Sequence, residues 1–105
     1  MRGDKAPLTY STGEWPYGAV LSEDAPIGAH YGLVLARRLD TLAKKQGLSH
    51  RALSGKAGLS NPTVGRIVRG ELYPDLATLA RLESALGANL YPAGLHLQLS
   101  AKPRE

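Results

Sequence analysis

Glycine punctuates the middle of this chain. Gly47, Gly58, Gly70 and Gly87 each close a segment whose apolar residues recur at helical spacing. A glycine just past the last helical turn is a stop signal, because it takes the left-handed conformation that ends a helix at no steric cost. The region from Tyr31 to Gly87 is therefore limited to short helices joined by tight turns.

The segments read as follows. Leu35, Leu39 and Leu42 form one apolar face of a helix running from Ala29 or Tyr31 to Gln46. Its opposite face carries Arg37, Arg38, Lys44 and Lys45, either a solvated surface or phosphate contacts. Ser49 is an N-cap for a second helix, His50 to Lys56 or Ala57. Ser60 is the next N-cap, with Pro62 in the first turn, where a missing N–H costs little. Val64 and Ile67 face inward from this third helix. Tyr73-Pro74 makes a turn, Asp75 caps a fourth helix, and Leu76, Leu79, Leu82 and Leu86 supply its apolar stripe. Leu90 begins a short final turn or helix before Pro92. Beyond it, Leu95 to Ser100 alternates apolar and polar residues, the pattern of a strand with one apolar face. Such a strand needs a partner, supplied by the N-terminal arm or by a second subunit.

Residues 1–28 show no helical period. Pro7, Pro16 and Pro26 alternate with glycines, and Leu8–Tyr10 and Trp15–Leu21 are β-prone, with a turn signal at Ser11–Gly13. This reads as an irregular or partly β arm, with Tyr10, Trp15 and Tyr17 serving packing or dimer contact. The resulting organisation is an arm over 1–28, a helical domain over 29–92 and a strand and tail over 93–105.

Composition narrows the function. The chain has 105 residues, no cysteine and three scattered histidines, which excludes a disulfide scaffold and a cysteine-rich zinc finger. No apolar run approaches the roughly 18 residues of a membrane span, and acidic residues interrupt every apolar stretch near the start, so a cytoplasmic, membrane-free protein is expected. No nucleophile–base–acid set or metal constellation is visible; no enzyme activity, cofactor or metal is expected. The net charge of +4 is unevenly placed: −2 over residues 1–30, +5 over 31–92 and +1 over 93–105. Positive charge is densest from Arg37 to Arg69, which points to a polyanionic partner for that segment.

That segment contains LSHRALSGKAGLSNPTVGRIVRG, residues 48–70. Two short helices crossing near a right angle need a small residue at the crossing (Ser54 or Ala57), a glycine at the turn (Gly58) and an apolar plug (Leu59). The second helix then buries Val64 and Ile67 and exposes Asn61, Pro62, Thr63, Gly65, Arg66 and Arg69. Arginine can bind guanine and asparagine adenine in bidentate fashion, and Pro62 or Thr63 can touch a thymine methyl. Ser60 and the free N–H groups at the helix start can meet a phosphate. Mid-helix Gly65 costs about 1 kcal/mol against alanine; it avoids a clash with another helix or admits DNA backbone.

The span Leu35–Leu90 resembles a DNA-binding domain of the lambda-repressor/Cro type, the XRE family of helix-turn-helix regulators. The resemblance rests on an ordered set: G-L-S at Gly47–Ser49, A-G-L-S at Ala57–Ser60, T-V-x-R-I at Thr63–Ile67 and R-G at Arg69-Gly70. Pro74, T-L at Thr78-Leu79 and A-L-G at Ala85–Gly87 complete it. It implies an all-α, five-helix domain whose third helix enters the major groove. Carried over by position, base readers fall on Asn61, Pro62 and Arg66 and backbone contacts on His50 and Arg69; Ser60 and Thr63, at the start of the third helix, are expected to add backbone contacts. His50 stands where the family often has a phosphate-binding glutamine. Ser54 replaces a common alanine, and Pro62 lacks a hydrogen-bonding side chain.

The expected function is a sequence-specific, homodimeric transcriptional regulator of double-stranded DNA, acting as a repressor. The alternative is an antitoxin that binds a protein toxin through its tails and represses its own operon, a reading favoured by the acidic, aromatic leader.

Overall fold

The computed structural model describes residues 3–100. Five α-helices follow one another: α1 Ile27–Lys45, α2 His50–Lys56, α3 Thr63–Val68, α4 Leu76–Leu86 and α5 Leu95–Ser100. Before them come a 3-10 turn, Pro7–Tyr10, and two short antiparallel strands, β1 Ser11–Thr12 and β2 Val20–Leu21. Their register pairs Ser11 with Leu21 and Thr12 with Val20.

The glycine stops act through one repeated motif. At the ends of α1, α2 and α3 the glycine N–H bonds back to Lys44, Gly55 and Ile67, and the next residue's N–H bonds back to Ala43, Ser54 and Arg66. Each pair satisfies two orphan carbonyls of its helix, the Schellman arrangement. Gly87 (φ +63°) ends α4 with a bond to the Glu83 carbonyl. The helix starts are capped as expected at two places: Ser49 Oγ accepts from the Ala52 amide at 3.0 Å, and Asp75 Oδ1 from Thr78 at 2.7 Å.

Leu39, Leu53, Val64, Leu82 and Leu90 are fully buried at the centre, with Ile67 beside them. Leu35 and Leu86 join this cluster, and Leu42, Leu48 and Leu59 pack against it. The α4 stripe starts one turn later than its leucine spacing suggests: Leu76 is 81 % exposed, and Leu79, Leu82 and Leu86 face the core.

Three expectations are corrected. Leu95–Ser100 is helix α5, not a strand. Alternation over six residues also places Leu95 and Leu99 four apart, on one helical face. Those two are half-buried, while Leu97 points outward. Tyr31 on α1 fixes the element, its hydroxyl accepting from the His96 amide at 3.0 Å and lying 3.2 Å from His96 Nδ1. The tail from residue 101 onward lies outside the described residues. Second, Leu90 does not begin a helix. The Glu83 carboxylate takes the amides of Leu90 (2.8 Å) and Tyr91 (3.1 Å), holding this stretch as an irregular loop with Leu90 in the core. Third, Leu8–Tyr10 is a 3-10 turn rather than a strand. Pro7 begins it and fixes its φ, and the pairing falls on Ser11–Thr12 instead.

The arm is folded onto the helices. Pro7 is buried against Gly32 of α1, where an added Cβ would lie 2.6 Å from the Pro7 ring. The Leu8 amide donates to the Gly70 carbonyl at 2.9 Å, and the Trp15 ring covers Gly70 (φ +74°), 2.7 Å from where a Cβ would stand. Arg37 donates to the Pro16 carbonyl at 2.9 Å and Arg38 to the Tyr91 carbonyl at 3.1 Å. These two α1 arginines thus staple the arm and the 90–91 loop to the domain.

Candidate nucleic-acid interface

The α2–turn–α3 unit is locked at one buried atom. Ser54 on α2 is fully buried, and its Oγ accepts the Val64 amide of α3 at 3.0 Å. Val64 is the second residue of α3, so its N–H has no partner within the helix. An alanine here would pack equally well but leave that donor orphaned. The serine sets the start of α3 against α2.

The expected cap at Ser60 differs in detail. Regular α3 begins at Thr63, and Ser60 Oγ lies 2.7 Å from Thr63 Oγ1 while its carbonyl accepts the Thr63 amide at 3.1 Å. The two hydroxyls form one exposed pair at the turn. Val64, Ile67 and Val68 point inward from α3; Asn61, Pro62, Arg66 and Arg69 are exposed. His50, Arg51, Asn61, Pro62, Gly65 and Arg69 line one open concavity, which brings four of the six α3-side positions expected to be exposed together with α2's first two residues; Thr63 and Arg66 lie outside its lining, and Gly65 is buried rather than exposed because side chains cover it.

Gly65 lies beneath two side chains. An added Cβ would approach Arg69 Nη1 at 3.0 Å and His50 Nδ1 at 3.8 Å. No helix backbone crosses it there, so the glycine leaves room for the Arg69 guanidinium to fold back over α3.

His50 is positioned by Asp40, a residue that sequence reading left unremarked. Asp40 is buried on α1 (4 % exposed), and its Oδ1 lies 2.8 Å from His50 Nε2. Its Oδ2 accepts from the Tyr17 hydroxyl at 2.7 Å and pairs with Lys44 Nζ at 2.9 Å. Burial alone would raise the Asp40 carboxyl. The bonds from His50, Lys44 and Tyr17 outweigh it and hold the group at about 2. The carboxylate therefore accepts from Nε2 of His50 and leaves Nδ1 on the side of Gly65 and the concavity. Tyr17 brings the arm into the same cluster, and Lys44 stands 5.4 Å over its ring.

Glu71 is the second residue missed. Its Oε2 accepts from Arg69 Nε at 2.9 Å, and its Oε1 lies 3.5 Å from Arg66 Nε. The Arg69 bond, with the charge of Arg66 beside it, holds this exposed carboxyl below its usual range. No spacing rule marks an i+2, i+5 pairing around a glycine turn; it follows from the Schellman bend.

The Helix-turn-helix family model known as HTH_3 matches residues 39–91, half of the chain and all of α2 to α4. The chain belongs to the HTH_3 helix-turn-helix family. It is a transcriptional regulator of that family and not an enzyme. An uncharacterized HTH-type transcriptional regulator of Haemophilus influenzae is 28% identical over 71 residues, 68% of this chain and 72% of the relative. Two solved structures share the fold and appreciable sequence. The restriction-modification controller protein C.AhdI of Aeromonas hydrophila has a TM-score of 0.53 at 29% identity, covering 55% of this chain and 88% of that one. An HTH_3 family transcriptional regulator of Vibrio cholerae has a TM-score of 0.54 at 36% identity; the match covers 58% of this chain but only 34% of the Vibrio protein. A hypothetical transcription factor, NHTF, from Neisseria shares the fold over 76% of this HTH_3 chain at a TM-score of 0.57 and 24% identity. Among the described residues no helix is long and apolar enough to cross a membrane.

Proposed function

We propose that this HTH_3 protein is a sequence-specific repressor that binds double-stranded DNA as a homodimer. The observation that carries the reading is the exposed surface around α3, with Asn61 and Pro62 just before the helix, Arg66 on it and Arg69 at its end, the helix being seated by the Ser54–Val64 bond. In this reading α3 lies in the major groove. Arg66 reads guanine, Asn61 reads adenine and Pro62 meets a thymine methyl. His50, Ser60, Thr63 and Arg69 contact the phosphates on either side. One six-residue helix reaches only a few base pairs, so two copies on half-sites about 34 Å apart are needed for useful discrimination.

The antitoxin alternative drew on the aromatic leader. The Trp15 ring covers Gly70 and the Tyr17 hydroxyl donates to Asp40, so both residues are engaged within the chain, with Tyr17 still 54 % exposed.

Selection of binders from a random duplex library by the full chain tests the reading. The expected product is a two-fold symmetric sequence with half-sites about one helical turn apart, bound by a dimer in sedimentation. Recovery of no enriched sequence would overturn it. A reporter placed behind the selected site should fall in expression when the protein is supplied.

A further inference from the structure

Glu71 puts a negative charge on the face that meets a polyanion, and nothing in the fold requires it there. Its side chain is exposed and seals no core. Its backbone is nonetheless held firmly: the Glu71 amide donates to the Arg66 carbonyl at 2.9 Å, and Gly70 before it is covered by Trp15 and bound by the Leu8 amide. The arm thus pins the turn that carries the carboxylate. From that fixed base one carboxylate reaches both arginines of the α3 face, Arg69 at 2.9 Å and Arg66 at 3.5 Å. Both contacts run to Nε, the inner edge of the guanidinium, which leaves the Nη groups for an outside acceptor.

Resting on the DNA-binding reading above, we propose that Glu71 is a specificity-determining residue: it orders Arg66 for base reading and Arg69 for its one phosphate on the cognate site, and opposes the use of either as a general phosphate binder. The two effects follow from different physics. A free arginine loses rotamer freedom when it is fixed, and a carboxylate that orders two of them in the free protein removes part of that loss on the correct site. On any other sequence the arginines contribute only charge, and the carboxylate cancels part of that charge beside the phosphates. Cognate binding keeps its strength while non-specific binding is weakened. An arginine-rich surface lacking this carboxylate would bind DNA more tightly and choose less well.

The test is the ratio of dissociation constants for the selected duplex and a scrambled duplex, measured by fluorescence anisotropy over a salt series with the full chain. Glu71→Gln is expected to tighten scrambled-duplex binding several-fold, to steepen its salt dependence by about one ion and to lower the ratio by roughly tenfold. Glu71→Asp keeps the charge but is one methylene shorter. It is expected to leave scrambled binding near wild type and to weaken cognate binding. Unchanged melting temperatures show that both variants fold. A wild-type protein that distinguishes the two duplexes, with an unchanged or higher ratio in Glu71→Gln, overturns this inference alone. A wild-type protein that binds both duplexes equally overturns the DNA-reading assignment beneath it.

Discussion

Ser54 Oγ accepts the Val64 amide at 3.0 Å with both residues fully buried, and this one bond seats the candidate reading helix on its support. Removing the acceptor leaves a buried N–H unsatisfied, a loss of about 1–3 kcal/mol. Ser54→Ala is therefore expected to lower the unfolding free energy by that amount in urea melts with an unchanged m-value. An alanine variant as stable as wild type would show that the small side chain matters only for its size.

Asp40 makes stability depend on acid. Its ordinary value is 3.8, and the folded chain holds it at about 2. A group depressed by folding contributes stability above its unfolded value and loses it as pH falls through the folded one. The contribution, roughly 2 kcal/mol, should be full above pH 4 and vanish toward pH 2. Thermal unfolding of wild type and Asp40→Asn across that range should show a difference that closes as pH falls. A difference constant with pH would contradict the ion-pair account of the Asp40, His50, Lys44 and Tyr17 cluster.

Gly65 separates stability from binding. Alanine there gains helix propensity of up to about 1 kcal/mol; its Cβ is tight only against the movable end of Arg69 and meets His50 Nδ1 at ordinary contact distance. Gly65→Ala is expected to melt at or slightly above the wild-type temperature while binding the selected duplex several-fold more weakly, because Arg69 is pushed off its seat over α3. Loss of stability together with binding would mean that the glycine serves packing instead.

The Trp15 ring on Gly70 ties the arm to the end of α3. Trp15→Ala removes a half-buried indole, worth about 2 kcal/mol after allowance for its exposed part. It is expected to destabilise the whole domain in one transition. A melt in which only the arm is lost, with α1–α4 unaffected, would show the arm to be an independent appendage.

Local signals were the legible ones. The Gly47, Gly58 and Gly70 stops, the Ser49 and Asp75 caps and the inward stripes of Val64, Ile67, Leu79, Leu82 and Leu86 each depend on residues within a few positions. They were readable for that reason. The ordered motifs around Gly58 then sufficed for the family. Leu95–Ser100 misled because six alternating residues satisfy both periods, and the deciding contact, Tyr31 to His96, spans 65 positions. The same distance effect hid the roles of the charges. Arg37 and Arg38 looked like a solvated face until the arm and the 90–91 loop folded against them. The partners of His50 and Arg66 could not be foreseen from composition.

In the proposed reading the face around α3 reads bases, and Arg66 is the residue on which that role rests most heavily. Binding of the Arg66→Ala chain to the selected duplex and to duplexes altered at each guanine tests it directly. The expected result is a loss of about 1–3 kcal/mol on the selected duplex, with discrimination relaxed at one guanine position per half-site and melting unchanged. Equal weakening on every duplex would reduce Arg66 to a phosphate contact, and unchanged binding by a folded variant would contradict the assignment of α3 as the reading helix.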